Sequence, residues 1–167
     1  MRGRIASQPA FSLFEILLAT VTIVILVAMV IAAVNPKRRL ADTRDSNRKV
    51  DLKNIGTALY EYNIDNNGKF LPGLDKTWKI IGTDSHNCRV WCGSGSGNYA
   101  ETSHLQFTAD QCLDFSPLVP RYLLGLPSDP LNGTDQMSFY AVRLDSNNRV
   151  LLRACNAEME EVIEIAR

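Results

Sequence analysis

The stretch that decides the fold is FSLFEILLATVTIVILVAMVIAAV, residues 11–34. Its 24 residues contain one charged side chain, Glu15, and no other charge follows before Lys37. A helix of this length extends for about 36 Å, and about 20 apolar residues suffice to cross a hydrocarbon core of about 30 Å. The stretch therefore predicts a membrane-spanning helix with one carboxylate near its amino end.

The position of Glu15 is the most informative feature of this helix. A charged side chain inside a membrane is costly and usually has a functional role. A cleaved secretory signal has an apolar region of only about 7–15 residues, shorter than the stretch found here. An ordinary uncleaved signal anchor with an incidental acid is the simplest alternative to a functional Glu15.

The residues around Glu15 resemble the prepilin signature of type IV pilins and type II secretion pseudopilins. The resemblance rests on Ala10-Phe11-Ser12-Leu13-Phe14-Glu15, followed by Ile16-Leu17-Leu18. It implies cleavage between Ala10 and Phe11, N-methylation of Phe11, and a role in assembly for Glu15, the fifth residue of the mature chain. The family usually has Gly before the cleavage site, where this chain has Ala10.

The resemblance implies a structural subunit of a type IV pilus or pseudopilus filament. Such a subunit is a single-pass protein of the inner (cytoplasmic) membrane with its carboxyl-terminal domain extracytoplasmic, and it joins a cell-surface filament through its amino-terminal helix. The implied partners are further copies of the chain, a prepilin peptidase, an assembly ATPase and a membrane platform. A major or minor pilus subunit, a secretion pseudopilin and a DNA-uptake pilin all stay open.

Four segments follow from the resemblance and the residue pattern. They are a leader at 1–10, a transmembrane and filament-core helix at 11–35, an amphipathic continuation at 36–65 and a globular head at 66–167. The expected fold class is α+β: a long amino-terminal helix packed on a small antiparallel β-sheet, in a pilin-like arrangement.

The amphipathic helix is predicted from about residue 42 to about residue 63, ending at the turn-forming residues 66–68. Its apolar positions recur at helical spacing, at Leu52, Ile55, Leu59 and Tyr62. Pro36 lacks a backbone donor and disfavours helical geometry at Asn35, so a helix kink is predicted there. A plain break and a functional hinge are both open interpretations.

Two runs near the carboxyl end are rich in β-forming residues, at 138–144 and 149–154. The turn-forming sequence DSNN at 145–148 lies between them and predicts an antiparallel hairpin. The turn LPSDP at 126–130, with the strand after it, also looks like the carboxyl half of pseudopilins. Residues 113–124 are predicted to be short helical or irregular structure.

Composition argues against several function classes. Eighteen basic and eighteen acidic residues cancel, so no overall field steers the chain to nucleic acid, and no such partner is expected. Residues 37–53 are locally basic and residues 158–164 acidic; these segments could pair between subunits, contact lipid headgroups or lie on solvated faces. No catalytic motif accompanies the histidines, so neither an enzyme nor a small-molecule substrate is expected.

The cysteines all follow the apolar stretch, at Cys88, Cys92, Cys112 and Cys155. Exported cysteines favour disulfides, and the resemblance implies that this part of the chain is exported. Three connectivities are open; the preferred one joins Cys88 to Cys92 and Cys112 to Cys155. The alternatives to disulfides are buried free thiols and a zinc site, with candidate ligands His86, Cys88, Cys92 and His104.

Calcium is a further candidate ligand, because pseudopilins can bind it near the carboxyl-terminal hairpin. The candidate donors are Asp129, Asp135 and Asp145. They form an incomplete set for an ion that takes about six to eight oxygens. No other cofactor is expected.

A function from a different class is a monomeric, membrane-anchored extracytoplasmic binding domain that uses the aromatic segment around Trp78 and Trp91. The charge distribution also bears on orientation. Three cations at 37–39 follow the span and only Arg2 and Arg4 precede it, so positive-inside counting would put the carboxyl side in the cytoplasm. The prepilin resemblance implies the opposite orientation, which is the one we expect.

Overall fold

The computed structural model describes residues 11–83, 88, 90–92, 105–108, 111–159 and 162–167. The helices are α1 (Leu13–Val34) and α2 (Pro36–Asp65), with a 3₁₀ turn at Ser116–Leu118. The strands are β1 (Lys79–Gly82), β2 (Trp91–Cys92), β3 (Leu105–Gln106), β4 (Cys112–Asp114), β5 (Tyr140–Leu144), β6 (Val150–Ala154) and β7 (Glu164–Ala166). The predicted leader at 1–10 lies outside the described residues.

The chain divides into two compact units, Met1–Arg39 and Leu40–Arg167. In the first unit, α1 begins after Ser12, whose Oγ accepts a hydrogen bond from the Glu15 N–H at 3.1 Å. This is the usual way to satisfy a donor in the first turn of a helix. The helix ends at Asn35, which adopts the left-handed conformation with φ 43° and ψ 77°.

Helix α2 covers Pro36–Asp65, the bounds of the predicted continuation at 36–65, and so begins about six residues before the predicted start near residue 42. A proline is accommodated in the first turn of a helix, because the missing N–H would have no partner there. The interruption between the helices is confined to Asn35, and the predicted kink at Pro36 stays a prediction.

The carboxyl end of α2 confirms the predicted helix stop. Asn67 and Gly68 have positive φ values of 56° and 80°. The Gly68 N–H bonds to the Asn63 carbonyl at 2.8 Å, and the Asn67 N–H bonds to the Ile64 carbonyl at 3.3 Å. This is the Schellman arrangement, which satisfies the last carbonyls of a helix.

The second unit contains a five-stranded sheet in the order β4-β1-β5-β6-β7, and β2 and β3 form a separate two-stranded sheet. The predicted hairpin is present as the antiparallel pair β5 and β6. Strands β1 and β4 are parallel. The sheet is therefore mixed, whereas the sequence predicted an antiparallel one. Residues 113 and 114 lie in β4, which corrects the helical or irregular structure predicted from residue 113.

The main core lies between α2 and one face of the five-stranded sheet. The predicted apolar face of α2 is fully buried at Leu52, Ile55 and Leu59, and Tyr62 packs at its border. Alternate residues of β5 and β6, such as Val142 and Leu152, belong to the same cluster. The expected α+β class is thus confirmed: a helix packed on a small sheet, together with an amino-terminal apolar helix.

Candidate functional site

Helix α1 presents an apolar surface to its surroundings. Every side chain from Leu13 to Ala32 is exposed, and the mean hydropathy over this range is 2.8. The helix is long and apolar enough to cross a membrane. An exposed apolar surface of this extent marks a site of membrane or protein interaction.

Three polar side chains interrupt this apolar surface, and two of them are satisfied within the helix. The Thr20 hydroxyl donates to the Leu17 carbonyl at 2.9 Å, and the Thr22 hydroxyl donates to the Ala19 carbonyl at 2.8 Å. The third, the Glu15 carboxylate, makes no hydrogen bond or ion pair within the described part of the chain. Glu15 therefore carries the one unsatisfied charge of the span.

Local helix capping accounts for only part of this amino-terminal sequence. Ser12 and Glu15 have the spacing of a capping box, in which the acid would bond back to the N–H of the capping residue. Of these two hydrogen bonds, only the one from the Glu15 N–H to the Ser12 hydroxyl forms. Phe11 is 76% exposed one residue before the cap, and Ala10 lies outside the described residues.

A second notable feature is a cluster of buried charges around Arg48, a residue of α2 with no exposed surface. Arg48 Nε donates to Asp129 Oδ2 at 2.6 Å, and its Nη1 donates to Asp45 Oδ1 at 2.7 Å and to Glu158 Oε2 at 2.9 Å. Burial by itself would lower the pKa of Arg48, but Asp129, Glu158 and Asp45 raise it above its ordinary value. The guanidinium therefore stays charged.

Glu158 connects the carboxyl-terminal loop to α2 through this Arg48 cluster. Both Glu158 oxygens accept from Arg44 at 2.6 Å, and the guanidinium of Arg44, followed by that of Arg48, lowers the pKa of Glu158 to about 2. Asp45 accepts the backbone N–H groups of Glu158 and Met159. Two cations of the basic segment at 37–53, Arg44 and Arg48, thus pair with Glu158 of the acidic segment at 158–164 within one chain.

A further charged side chain of α2, the half-buried Asp51, is paired with the buried Tyr140 of β5. Tyr140 Oη donates to Asp51 Oδ2 at 2.7 Å. Burial, followed by the neighbouring Asp51, raises the pKa of Tyr140 well above its ordinary range. Burial also raises the pKa of Asp51, which the Tyr140 hydrogen bond partly offsets.

The three candidate calcium donors do not converge, and the carboxylates of Asp129 and Asp145 have other partners. Asp129 binds Arg48 and also accepts the Leu131 N–H at 3.0 Å. Asp145 organises the β5–β6 turn, where the backbone N–H of Arg149 is the main cause that lowers its pKa. Asp135 is exposed and accepts from Thr83 through its carbonyl. Within the described ranges no three metal-binding side chains form a group.

The cysteines are all paired, but not as preferred from the sequence. The disulfides join Cys88 to Cys112 and Cys92 to Cys155. The preferred bond between Cys112 and Cys155 was wrong for a geometric reason. Cys112 lies on β4 and Cys155 directly follows β6, three strand positions away. That separation of about 14 Å exceeds the reach of a disulfide.

The disulfides also exclude the zinc site considered from the sequence. Cys88 and Cys92 carry no thiol that could ligate a metal, and zinc requires the thiolate form of cysteine. The other two candidate ligands, His86 and His104, lie outside the described residues.

Comparison of the chain with known protein families, with curated proteins and with solved structures finds no match. The case for a function therefore comes from the chain's own residues.

The Arg48 cluster is the part of the molecule that the sequence interpretation missed. A usable signal was present, because Arg44 and Arg48 precede Leu52 at intervals of four residues and so continue the buried face of α2. Cations on the apolar face of a helix require buried partners, since an unpaired buried charge is costly. Which carboxylates would provide that pairing could not be read from the sequence.

Proposed function

We propose that this chain is a type IV pilin-like structural subunit of a pilus or pseudopilus filament. The subunit is stored in the membrane through α1, cleaved after Ala10, N-methylated at Phe11 and polymerised through α1. The observation that carries this proposal is the Glu15 carboxylate, unsatisfied and exposed in the first turn of an otherwise apolar helix. The prepilin peptidase, assembly ATPase and membrane platform are the proposed partners.

The charge of Glu15 supplies a physical reason for assembly. An unpaired carboxylate in lipid is costly, and an opposite charge at close range in a medium of low dielectric offsets that cost. The new α-ammonium of Phe11 on a neighbouring subunit is the proposed opposite charge. A subunit alone in the membrane would lack this partner, so the pairing favours packed helices over isolated ones.

The disulfides support an extracytoplasmic location for the globular unit. Both bonds lie after the apolar helix, and disulfides persist mainly in oxidising compartments outside the cytoplasm. This argues against the orientation that follows from counting the cations at 37–39. The bonds also limit unfolding of a subunit that is exposed outside the cell.

The first experiment is the intact mass and the amino-terminal peptide of the protein purified from membranes of its host. The proposal expects a chain that begins at N-methyl-Phe11. A monomeric product that keeps Met1 and Arg2 would contradict the proposal and favour the membrane-anchored binding domain instead.

The second experiment tests Glu15 directly through the amount of filament in sheared or pelleted fractions. Glu15→Gln removes the charge at almost constant size, so we expect loss of filaments with normal membrane levels of the subunit. Thr22→Val is the matched control, because it removes a polar group whose hydrogen bond is satisfied within the helix. Normal assembly of Glu15→Gln would contradict the proposed pairing.

A further inference from the structure

A tryptophan and two arginines form a cluster on the sheet face opposite to α2. Arg143 on β5 and Arg153 on β6 alternate with the buried residues that contact α2, and so point to the other face. Their guanidinium carbons lie 4.9 Å and 5.1 Å from the centre of the Trp78 ring. We call these three residues the Trp78 cluster.

The two arginines of the Trp78 cluster differ in their partners. Arg153 Nη2 donates to Glu164 Oε2 at 2.8 Å. Arg143 makes no hydrogen bond or ion pair with any described residue, and its Nε is buried without a partner. The cluster and Glu164 together hold two cations and one carboxylate, which leaves one positive charge on Arg143.

Arg143 is an exception among the described arginines of the globular unit. Each of the others donates to at least one oxygen: Arg44, Arg48, Arg121, Arg149, Arg153 and Arg167. An unsatisfied buried donor is destabilising, and most such donors in folded proteins have a partner. The Arg143 guanidinium lies over the Trp78 ring. Arg143 as a whole is only half-buried, so part of this side chain is within reach of a ligand.

The chemistry of this unpaired group defines the ligand class. A guanidinium presents parallel N–H donors that match the two oxygens of a carboxylate or a phosphate. The Trp78 ring holds the guanidinium in position and so reduces the freedom it would lose on binding. Arg153 adds a second cation close by, already oriented by Glu164.

We propose that the Trp78 cluster binds an oxyanion, a carboxylate or phosphate group of a ligand, with Arg143 as the main anion-binding residue. No residue of the Trp78 cluster belongs to α1, and anion binding can be measured without filament assembly. Its proposed role therefore stands or falls independently of the cleavage and polymerisation of the chain.

The test is calorimetric titration of the full chain in neutral detergent with pyrophosphate and, in a second arm, with citrate. We expect saturable binding of at least one anion, and Arg143→Gln should weaken it about tenfold or more. Arg121→Gln is the matched control, because Arg121 also lies over a ring, that of Tyr122 at 5.2 Å, but is paired with Asp65. The control should bind like the unaltered protein.

A second readout locates the binding on the cluster. Trp78 and Trp91 are the two tryptophans of the chain, so in a Trp91→Phe background the fluorescence reports Trp78 alone. A saturable change of that signal whose midpoint agrees with the calorimetric one supports the site, and the anion that produces it identifies phosphate or carboxylate as the ligand group. Absence of saturable binding in both arms, or equal binding by a folded Arg143→Gln protein, overturns the proposal. Arg143→Lys keeps the positive charge but lacks the parallel N–H donors of a guanidinium, so it provides a second variant if Arg143→Gln unfolds.

Discussion

Arg48 and Asp129 form an ion pair in which neither side chain has any exposed surface, with 2.6 Å between Nε and Oδ2. The two residues are 81 positions apart in the sequence. Their bond fixes the turn at 126–130 against α2. The same guanidinium binds Glu158, so it also fixes the carboxyl-terminal loop. One side chain of α2 thereby orders two segments that have little regular secondary structure of their own.

Removing the charge of Asp129 should destabilise the globular unit strongly. Asp129→Asn keeps the volume but leaves the buried Arg48 undercompensated, so we expect a loss of about 3–5 kcal/mol in the free energy of unfolding. The measurement is denaturant unfolding. Asp65→Asn is the matched control, because its pair with Arg121 is exposed and should cost less than about 1 kcal/mol. Equal losses in the two variants would contradict a structural role for the buried pair.

Glu158 should make stability depend on pH in the acid range. Its pKa is lowered from 4.5 to about 2 in the folded chain. The Glu158 ion pairs therefore contribute stability above about pH 4.5, and the contribution is lost as the pH falls toward 2. We expect Glu158→Gln to be less stable than the unaltered protein at pH 6 and nearly equal to it at pH 2. A difference that stays constant between these two pH values would contradict this prediction.

The two disulfides should contribute unequally to the free energy of unfolding. Cys92 and Cys155 are 63 positions apart, whereas Cys88 and Cys112 are 24 apart. In the chain-entropy description the longer loop stabilises by about 0.9 kcal/mol more. We expect the Cys92→Ala/Cys155→Ala variant to be less stable than Cys88→Ala/Cys112→Ala in denaturant unfolding. Peptide mapping without reductant checks the pairing itself, and a peptide linking Cys112 to Cys155 would contradict it.

Local patterns in the sequence were sufficient to predict the helices and the hairpin. The apolar spacing of Leu52, Ile55 and Leu59 identified the buried face of α2, since neighbours on a helix face are close in sequence. The turn-forming residues at 66–68 and 145–148 marked the end of α2 and the hairpin for the same reason. Glu15 stood out because hydropathy is also a local property of the chain.

Features that depend on distant pairing could not be predicted in this way. The parallel pairing of β1 with β4 joins segments about 30 residues apart and carries no local signal. That strand order also separates Cys112 from Cys155 and so excludes the bond that was preferred from the sequence. The lack of a partner for Arg143 among the described residues could not be recognised from the sequence, because it depends on where the carboxylates of the fold lie. The isolation of Glu15 in an apolar stretch, by contrast, is a local property and could be recognised from the sequence.

Gly133 should tolerate no side chain, because its N–H bonds to the Asp129 carbonyl and the Asp129 backbone lies directly against it. A Cβ at Gly133 would fall well inside van der Waals contact of the Asp129 backbone, whereas a Cβ at Gly125 would meet nothing within 4 Å. We expect Gly133→Ala to cost about 1–3 kcal/mol in denaturant unfolding, and Gly125→Ala to change stability by less than about 0.5 kcal/mol. Because the clash displaces Asp129, adding Gly133→Ala to Asp129→Asn should cost less than it does in the unaltered chain. Strict additivity of these two substitutions would show that the turn and the buried ion pair are independent.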